Sequence, residues 1–228
     1  MVGKGLAVLA LLLLSGPARA DDKLVRPLGD SEIDWGAGTI TAKGGAAADL
    51  RMPTADIARP GAERRARAAA LVKLKASLQA LPLHPGAKLS AAELEAALGR
   101  AHPASVDYQS NGGVLLTMSL AFGDIVPPKE KAPPPSPDAG VEPARKAPEQ
   151  ALAVASMPFA LAPRVVAGER EAALSWAVYR TGAPPAGVDA IAVKADAKGR
   201  LVLPRGEAKA LQKLAGAPVV IYVQKAPK

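Results

Sequence analysis

Between Pro127 and Glu149 the chain carries eight of its 22 prolines, at positions 127, 128, 133, 134, 135, 137, 143 and 148, with charges such as Lys129, Glu130 and Lys131 among them and almost nothing large and apolar. Proline fixes φ and removes a backbone donor, so such a stretch favours extended polyproline II and resists collapse. Fully extended it reaches roughly 3.1 Å per residue. Any core must therefore come from residues 21–126 on one side and residues 150–228 on the other. Two arrangements fit: a spacer between two domains, or a flexible insertion in a single one.

The first twenty residues are read apart from the fold. Lys4 supplies a positive start, Leu6 to Leu14 form an apolar run, Gly16-Pro17 break it, and Ala18-Arg19-Ala20 gives a small-x-small cleavage pattern before Asp21-Asp22. This is the layout of a secretory signal peptide spanning residues 1–20, cut after Ala20. It implies a periplasmic mature chain. The apolar run is about nine residues, against the roughly 20 that span a bilayer, so no membrane span is expected in the mature chain. Removing the leader takes Lys4 and Arg19 but no acid, and lowers the formal charge from +8 to +6. With no cysteine, disulfides, thiolate metal ligands and a cysteine nucleophile are all excluded. Two Phe, three Tyr and two Trp leave the core to Ala, Leu and Val.

In residues 21–126, residues 21–32 read as a polar lead-in. Ile33, Trp35, Thr39 and Ile40 predict two short strands or one bent strand ending at Gly44-Gly45. A helix is expected from Pro60, with Leu71, Leu74, Leu78 and Leu81 as a narrow apolar stripe suited to lying across a sheet. Ser90 and Glu93 have capping-box spacing before a short helix that ends at Gly99. Val106 and Tyr108, the Ser110-Asn111-Gly112-Gly113 turn and the alternation from Val114 to Ala121 predict a hairpin. Together these give an α+β unit: a mainly antiparallel sheet with helices on one face.

Residues 150–228 read as a β-rich region. Strands are expected at Val165-Val166, from Ala173 to Tyr179 with Leu174, Trp176 and Val178 alternating, at Ile191 and Val193, and at Leu201 to Leu203. A two-turn helix is expected over Glu207 to Leu214, closed by Gly216. The unbroken apolar run Val219 to Val223 is the best candidate for a central strand. Residues 225–228 form a frayed tail.

The polar residues assemble no catalytic motif. His84 and His102 stand in loops beside prolines, with no acid at metal-site spacing. Ser110 and Ser119 lack a nucleophile elbow. Glu93 and Glu95 belong to a cap and a solvated face, and Asp34 and Asp56 to separate segments. Gly36, Gly38, Gly44 and Gly45 do not have phosphate-loop spacing. No cofactor, no metal and no enzymatic activity are expected. Arg59, Arg64, Arg65, Lys73 and Lys75 are the candidate interaction surface. They spread round the helix with Arg67 close to the leucine stripe, which fits a solvated face or peripheral contact with anionic lipid or polymer, and not nucleic-acid recognition.

The segments Ile33-Asp34-Trp35, Thr39 to Gly44 and Ala58 to Arg64, the alanine-leucine helix and Tyr108 to Val114 resemble, in order, the N-terminal module of a bacterial envelope family. That family includes the small outer-membrane lipoproteins and the flagellar accessory proteins FlgP and FlgT. Leu161 to Val165 and Ala217 to Ile221 are similar to the continuation in long exported versions. The chain departs from the pattern in lacking a lipidation cysteine and in carrying the Pro-rich segment. The resemblance implies a non-enzymatic structural or accessory protein of the cell envelope, with envelope proteins or its own copies as partners. The alternative is a binding module for anionic lipid or envelope polymer; an unrecognised hydrolase is the third class.

Overall fold

The computed structural model describes residues 24–84, 87–126, 150–204 and 208–224. The expected signal peptide, the Pro-rich segment 127–149, the start of the helix at Glu207 and the tail 225–228 lie outside the described residues.

The protein is α+β. Its first sheet is antiparallel and five-stranded, built from β1 (Val25–Leu28), β2 (Ser31–Asp34), β3 (Thr39–Ala46), β4 (His102–Tyr108) and β5 (Val114–Ala121) in the order β1-β2-β3-β5-β4. β1 corrects the expectation of a lead-in. Its half-buried Val25 and Leu28 pair with Asp34 and Ser31 of β2, and a turn at Gly29-Asp30 joins the two strands. The Asn-Gly hairpin is present, with Tyr108 opposite Val114. β4 is longer than its two apolar residues announced and has an irregularity between Pro103 and Ser105. That irregularity accommodates a proline that cannot donate to the ladder, on an outermost strand.

Helix α1 (Ala55–Ala80) lies across β3 and β5. It starts five residues before the expected Pro60, because Thr54 caps it: the Thr54 Oγ1 accepts from the Ile57 N–H at 3.4 Å, and Asp56 sits in the positive first turn. Pro60 therefore falls inside the helix. The buried stripe keeps Leu74, Leu78 and Leu81 of the expected leucine row and extends toward the helix start through alanines. It runs Ala58, Ala62, Ala66, Ala70, Leu74 and Leu78, while Leu71 is only half-buried and Arg67 stands exposed, clear of the stripe. Alanines at every fourth position let the helix backbone approach the sheet at Gly44. A Cβ there would lie 2.1 Å from the Ala66 carbonyl oxygen and 2.5 Å from the Ala70 nitrogen. Opposite the helix, Ile40 pairs with Leu120 and Ala42 with Met118, all four buried. The capping box of α2 (Ala91–Gly99) is complete: the Ser90 hydroxyl accepts from the Glu93 N–H, and the Glu93 carboxylate accepts from the Ser90 N–H. α3 (Phe122–Ile125) follows β5 directly and buries Phe122 and Ile125.

The second sheet is mixed. Its strands are β6 (Gln150–Val154), β7 (Arg164–Ala167), β8 (Arg170–Ala173), β9 (Ala177–Thr181), β10 (Ala190–Ala195), β11 (Leu201–Val202) and β12 (Val219–Val223), in the order β8-β7-β11-β10-β6-β12-β9; α4 (Ala208–Leu214) packs near β7 and β8. The strand expected from Ala173 to Tyr179 is two strands. Between them the Leu174 and Ser175 N–H groups turn away to the carbonyls of Pro163 and Ala217. β12 is interior, paired in parallel with β6 and β9. Leu152, Tyr179, Leu201, Ile221 and Val223 are fully buried and share one continuous core with Trp35, Ile40 and Leu120 of the first sheet.

Candidate functional site

Four of the chain's seven aromatic side chains meet where the two sheets join. The turn between β2 and β3 brings Trp35 there. Its ring lies edge-on to Phe122 at 5.4 Å and to Tyr179 at 5.6 Å, and 5.6 Å from Phe159. Gly38, at φ 70°, lets this turn close on β9: an added Cβ would lie 2.7 Å from the Val178 side chain. The backbone then bonds across the joint. Tyr179 N–H donates to the Trp35 carbonyl at 2.9 Å, Leu161 and Ala162 N–H donate to Pro82 and Leu83 at 2.8 Å each, and Arg180 Nη1 donates to the Gly36 carbonyl at 2.6 Å. The buried Tyr179 hydroxyl donates to the Ala160 carbonyl at 2.8 Å and accepts the Ala160 N–H at 3.0 Å. Burial raises its pKa far above the usual phenol range, so this group holds its proton.

Beside the joint opens a cleft of about 630 Å³ between the end of α1 with the segment after it and residues 158–160, lined by Leu81, Pro82, His84, Lys88, Phe159 and Gly199. Arg164 Nη2 lies 3.3 Å from His84 Nε2. Behind it runs a charge array: Arg164 bonds Glu171 at 2.8 Å, Arg200 reaches Glu171 at 3.5 Å, and Arg200 Nε bonds Asp196 at 2.7 Å. The Arg164 hydrogen bond holds the Glu171 carboxyl below the usual range. Asp196 is held low first by the Arg200 backbone N–H, with the Arg200 side chain and the Lys198 N–H adding to it. A general base needs a pKa near the working pH and a lone pair free for substrate. These carboxylates instead brace the β7–β8 hairpin to the turn at residues 196–200.

The structure does not gather the five cations predicted as an interaction surface. Arg59 pairs with Asp56 and lies over the Tyr108 ring at 5.8 Å; Tyr108 in turn donates its hydroxyl to Glu63, which raises its pKa. Arg65 donates to the Ala47 carbonyl, and Lys75 pairs with Glu95 of α2. Lys73 borders a hollow of about 300 Å³ with Asp30, Glu32 and Lys43. Arg64 is exposed. The two histidines also lie apart: half-buried His84 faces Arg164, while exposed His102 opens β4. Among the described residues no group of three or more His, Cys, Asp or Glu side chains could hold a metal ion, and no helix is long and apolar enough to cross a membrane.

Sequence reasoning missed the array and the aromatic joint. Asp196 with Gly199 carries a readable signal, since an aspartate heading a glycine turn accepts from the backbone ahead of it, here from Lys198 and Arg200. The joint has no local signal, because its members come from four separate segments. No family model matches the chain, and no curated protein matches it. The site and fold thus define a two-sheet α+β protein in which the polar groups of the joint and of the charge array bond to its own parts.

Proposed function

We propose that the protein is a non-enzymatic structural or accessory component of the bacterial cell envelope, exported by its leader and working through contacts with envelope proteins or its own copies. The observation that carries this reading is the joint. Trp35, Phe122, Phe159 and Tyr179, with the backbone bonds across them, hold the two sheets in one fixed relation. A rigid body of that kind suits a part that positions others. The charge array supports the same reading, since its acids are engaged by arginines and backbone. Lys4, the leucine run and Ala18-Arg19-Ala20 support export, and the resemblance of Ile33 to Gly44 and Tyr108 to Val114 to the outer-membrane lipoprotein and flagellar accessory modules supports the envelope role.

Crosslinking in the native envelope, followed by identification of the attached proteins, tests this. Recovery of ring, secretion-apparatus or outer-membrane components is expected. A protein recovered only as a monomer, or a purified protein that turns over ester, peptide or glycan substrates, would sink the reading. N-terminal sequencing should find Asp21 first.

A further inference from the structure

Among the described residues eight large apolar side chains are exposed, and five of them stand at one end of the first sheet: Leu50, Met52, Ile57, Tyr108 and Leu115. The topology brings them together. β3 ends at Ala46 opposite Val114, which also faces Tyr108, and Leu115 follows on the other side of the sheet. The loop after β3 carries Leu50 and Met52, and Ile57 lies in the first turn of α1. The hairpin tip touches that loop: a Cβ on Gly112 would lie 3.1 Å from Ala55 and 3.2 Å from Ala48. Leu50 is 96% exposed and so makes almost no contact with its own chain.

The form of this end decides its partner. The apolar groups come from a loop, a helix start and a strand end, and they project singly instead of lining a groove. A stable protein interface needs roughly 800 Å² of closely packed surface on each side. Separate projecting aliphatic groups meet a fluid surface more readily, because acyl chains pack around each one. Tyrosine, apolar with a polar tip, suits the level of lipid headgroups. Arg51 and Arg64 are exposed and form no ion pair among the described residues, whereas each acid at this end is engaged: Asp56 by Arg59, Glu63 by the Tyr108 hydroxyl, Asp49 by the Arg51 N–H and Asp107 by the Gln109 amide. The chain without its leader is still basic, at +6.

We propose that this end of the molecule docks on an anionic lipid surface, with Leu50, Met52, Ile57 and Tyr108 entering at headgroup level and Arg51 and Arg64 meeting the phosphates. This goes beyond the accessory reading and does not depend on it: failure here would leave the crosslinking result standing, and the reverse.

Co-sedimentation of the mature chain, from Asp21, with vesicles of phosphatidylethanolamine and phosphatidylglycerol tests it, with pure phosphatidylcholine vesicles for comparison. Binding should be stronger to the anionic vesicles and should weaken with salt. Leu50→Ser with Met52→Ser should lower the partition constant at least about tenfold, the loss expected when large aliphatic groups no longer enter an apolar phase. Arg51→Ala and Arg64→Ala should each lower it about fivefold. Circular dichroism melts should match the wild type, since these side chains touch little of the fold. Absence of binding to the anionic vesicles would overturn the proposal, and so would a serine double variant that binds as the wild type does. A self-association in sedimentation velocity that the same double variant abolishes would assign this end to a second copy instead, and would also overturn it.

Discussion

The two sheets differ in how far along the chain each strand must look for its neighbours. In the first, β1 pairs with β2, β2 with β3 and β4 with β5; only β3 with β5 spans a long gap, and the helices fill it. In the second, β6 lies between β10 and β12, and β12 between β6 and β9, all in parallel. Parallel pairs cannot be closed by a tight turn and need long crossovers. The first sheet is thus held by local turns and one helix, whereas the second has local antiparallel pairs only at β7–β8 and β10–β11 and joins β6, β9, β10 and β12 from distant segments, with β9 reaching the joint. The part with the least local support therefore rests most on the aromatic cluster.

The largest expected effect is at that cluster. Tyr179→Ala should cost about 4 kcal/mol through the cavity left by a fully buried ring. Tyr179→Phe should cost about 2 kcal/mol, because the Ala160 N–H and carbonyl lose their partner in a buried place. Urea unfolding followed by tryptophan fluorescence and by far-ultraviolet circular dichroism should show one transition moved to lower urea by both probes. A helix signal that stays put while fluorescence moves would break the picture of a shared core.

Next comes the helix seat in the first sheet. Gly44→Val should cost about 3 kcal/mol, because the new side chain meets backbone of α1 and the helix must lift. Its neighbour sharpens the test. Gly45→Ala meets chiefly the flexible end of Leu115, at 2.9 Å, and should change stability by less than about 1 kcal/mol. Equal effects at the two positions would refute the close approach.

The smallest effect is at the cap of α2. Ser90→Ala should cost about 1 kcal/mol in the same unfolding experiment. The Ser90 hydroxyl, and then its backbone N–H, hold the Glu93 carboxyl below its usual 4.5. A carboxyl lowered by folding contributes stability in full above its unfolded value, and that contribution fades as pH falls through the folded value. The stability difference between the wild type and Glu93→Gln should therefore be constant at neutral pH and shrink below about 4.5. Glu171 and Asp196 are lowered too, so acid should loosen the second sheet's brace in the same direction.

What the sequence made legible follows the same division. The hairpin at Asn111-Gly112, the capping box at Ser90 and Glu93, and the interior placing of Val219 to Val223 each rest on a few adjacent residues whose chemistry allows little else. The start of α1 was misplaced because Pro60 looks like a first-turn residue, while Thr54 already caps the helix. Its buried face was half legible: Leu74, Leu78 and Leu81 marked one end, but the alanines carry weak hydrophobic periodicity, and only Gly44, far off in sequence, explains why they are needed. β1 was hidden by Pro27 and the charges around it. The site was least legible of all: Trp35, Phe122, Phe159 and Tyr179 are ordinary residues until the fold brings them together, as are Leu50, Met52 and Tyr108.

The interior place of β12 also sets an order in time. Tyr179 of β9 waits for Ile221, whereas Leu152 of β6 already has Ile191 of β10 on one side and gains Ile221 on the other. As the chain emerges from the ribosome, the first sheet has all its strands once residue 121 is out, whereas in the second β9 is cut off from the other strands until residues 219–223 arrive. Closing contacts across so much chain is slow, since the ends must find each other before any bond rewards them. Until then β9 remains an unpaired strand, available to whatever machinery handles nascent polypeptides, and the last strand to be made is the one that ends that interval.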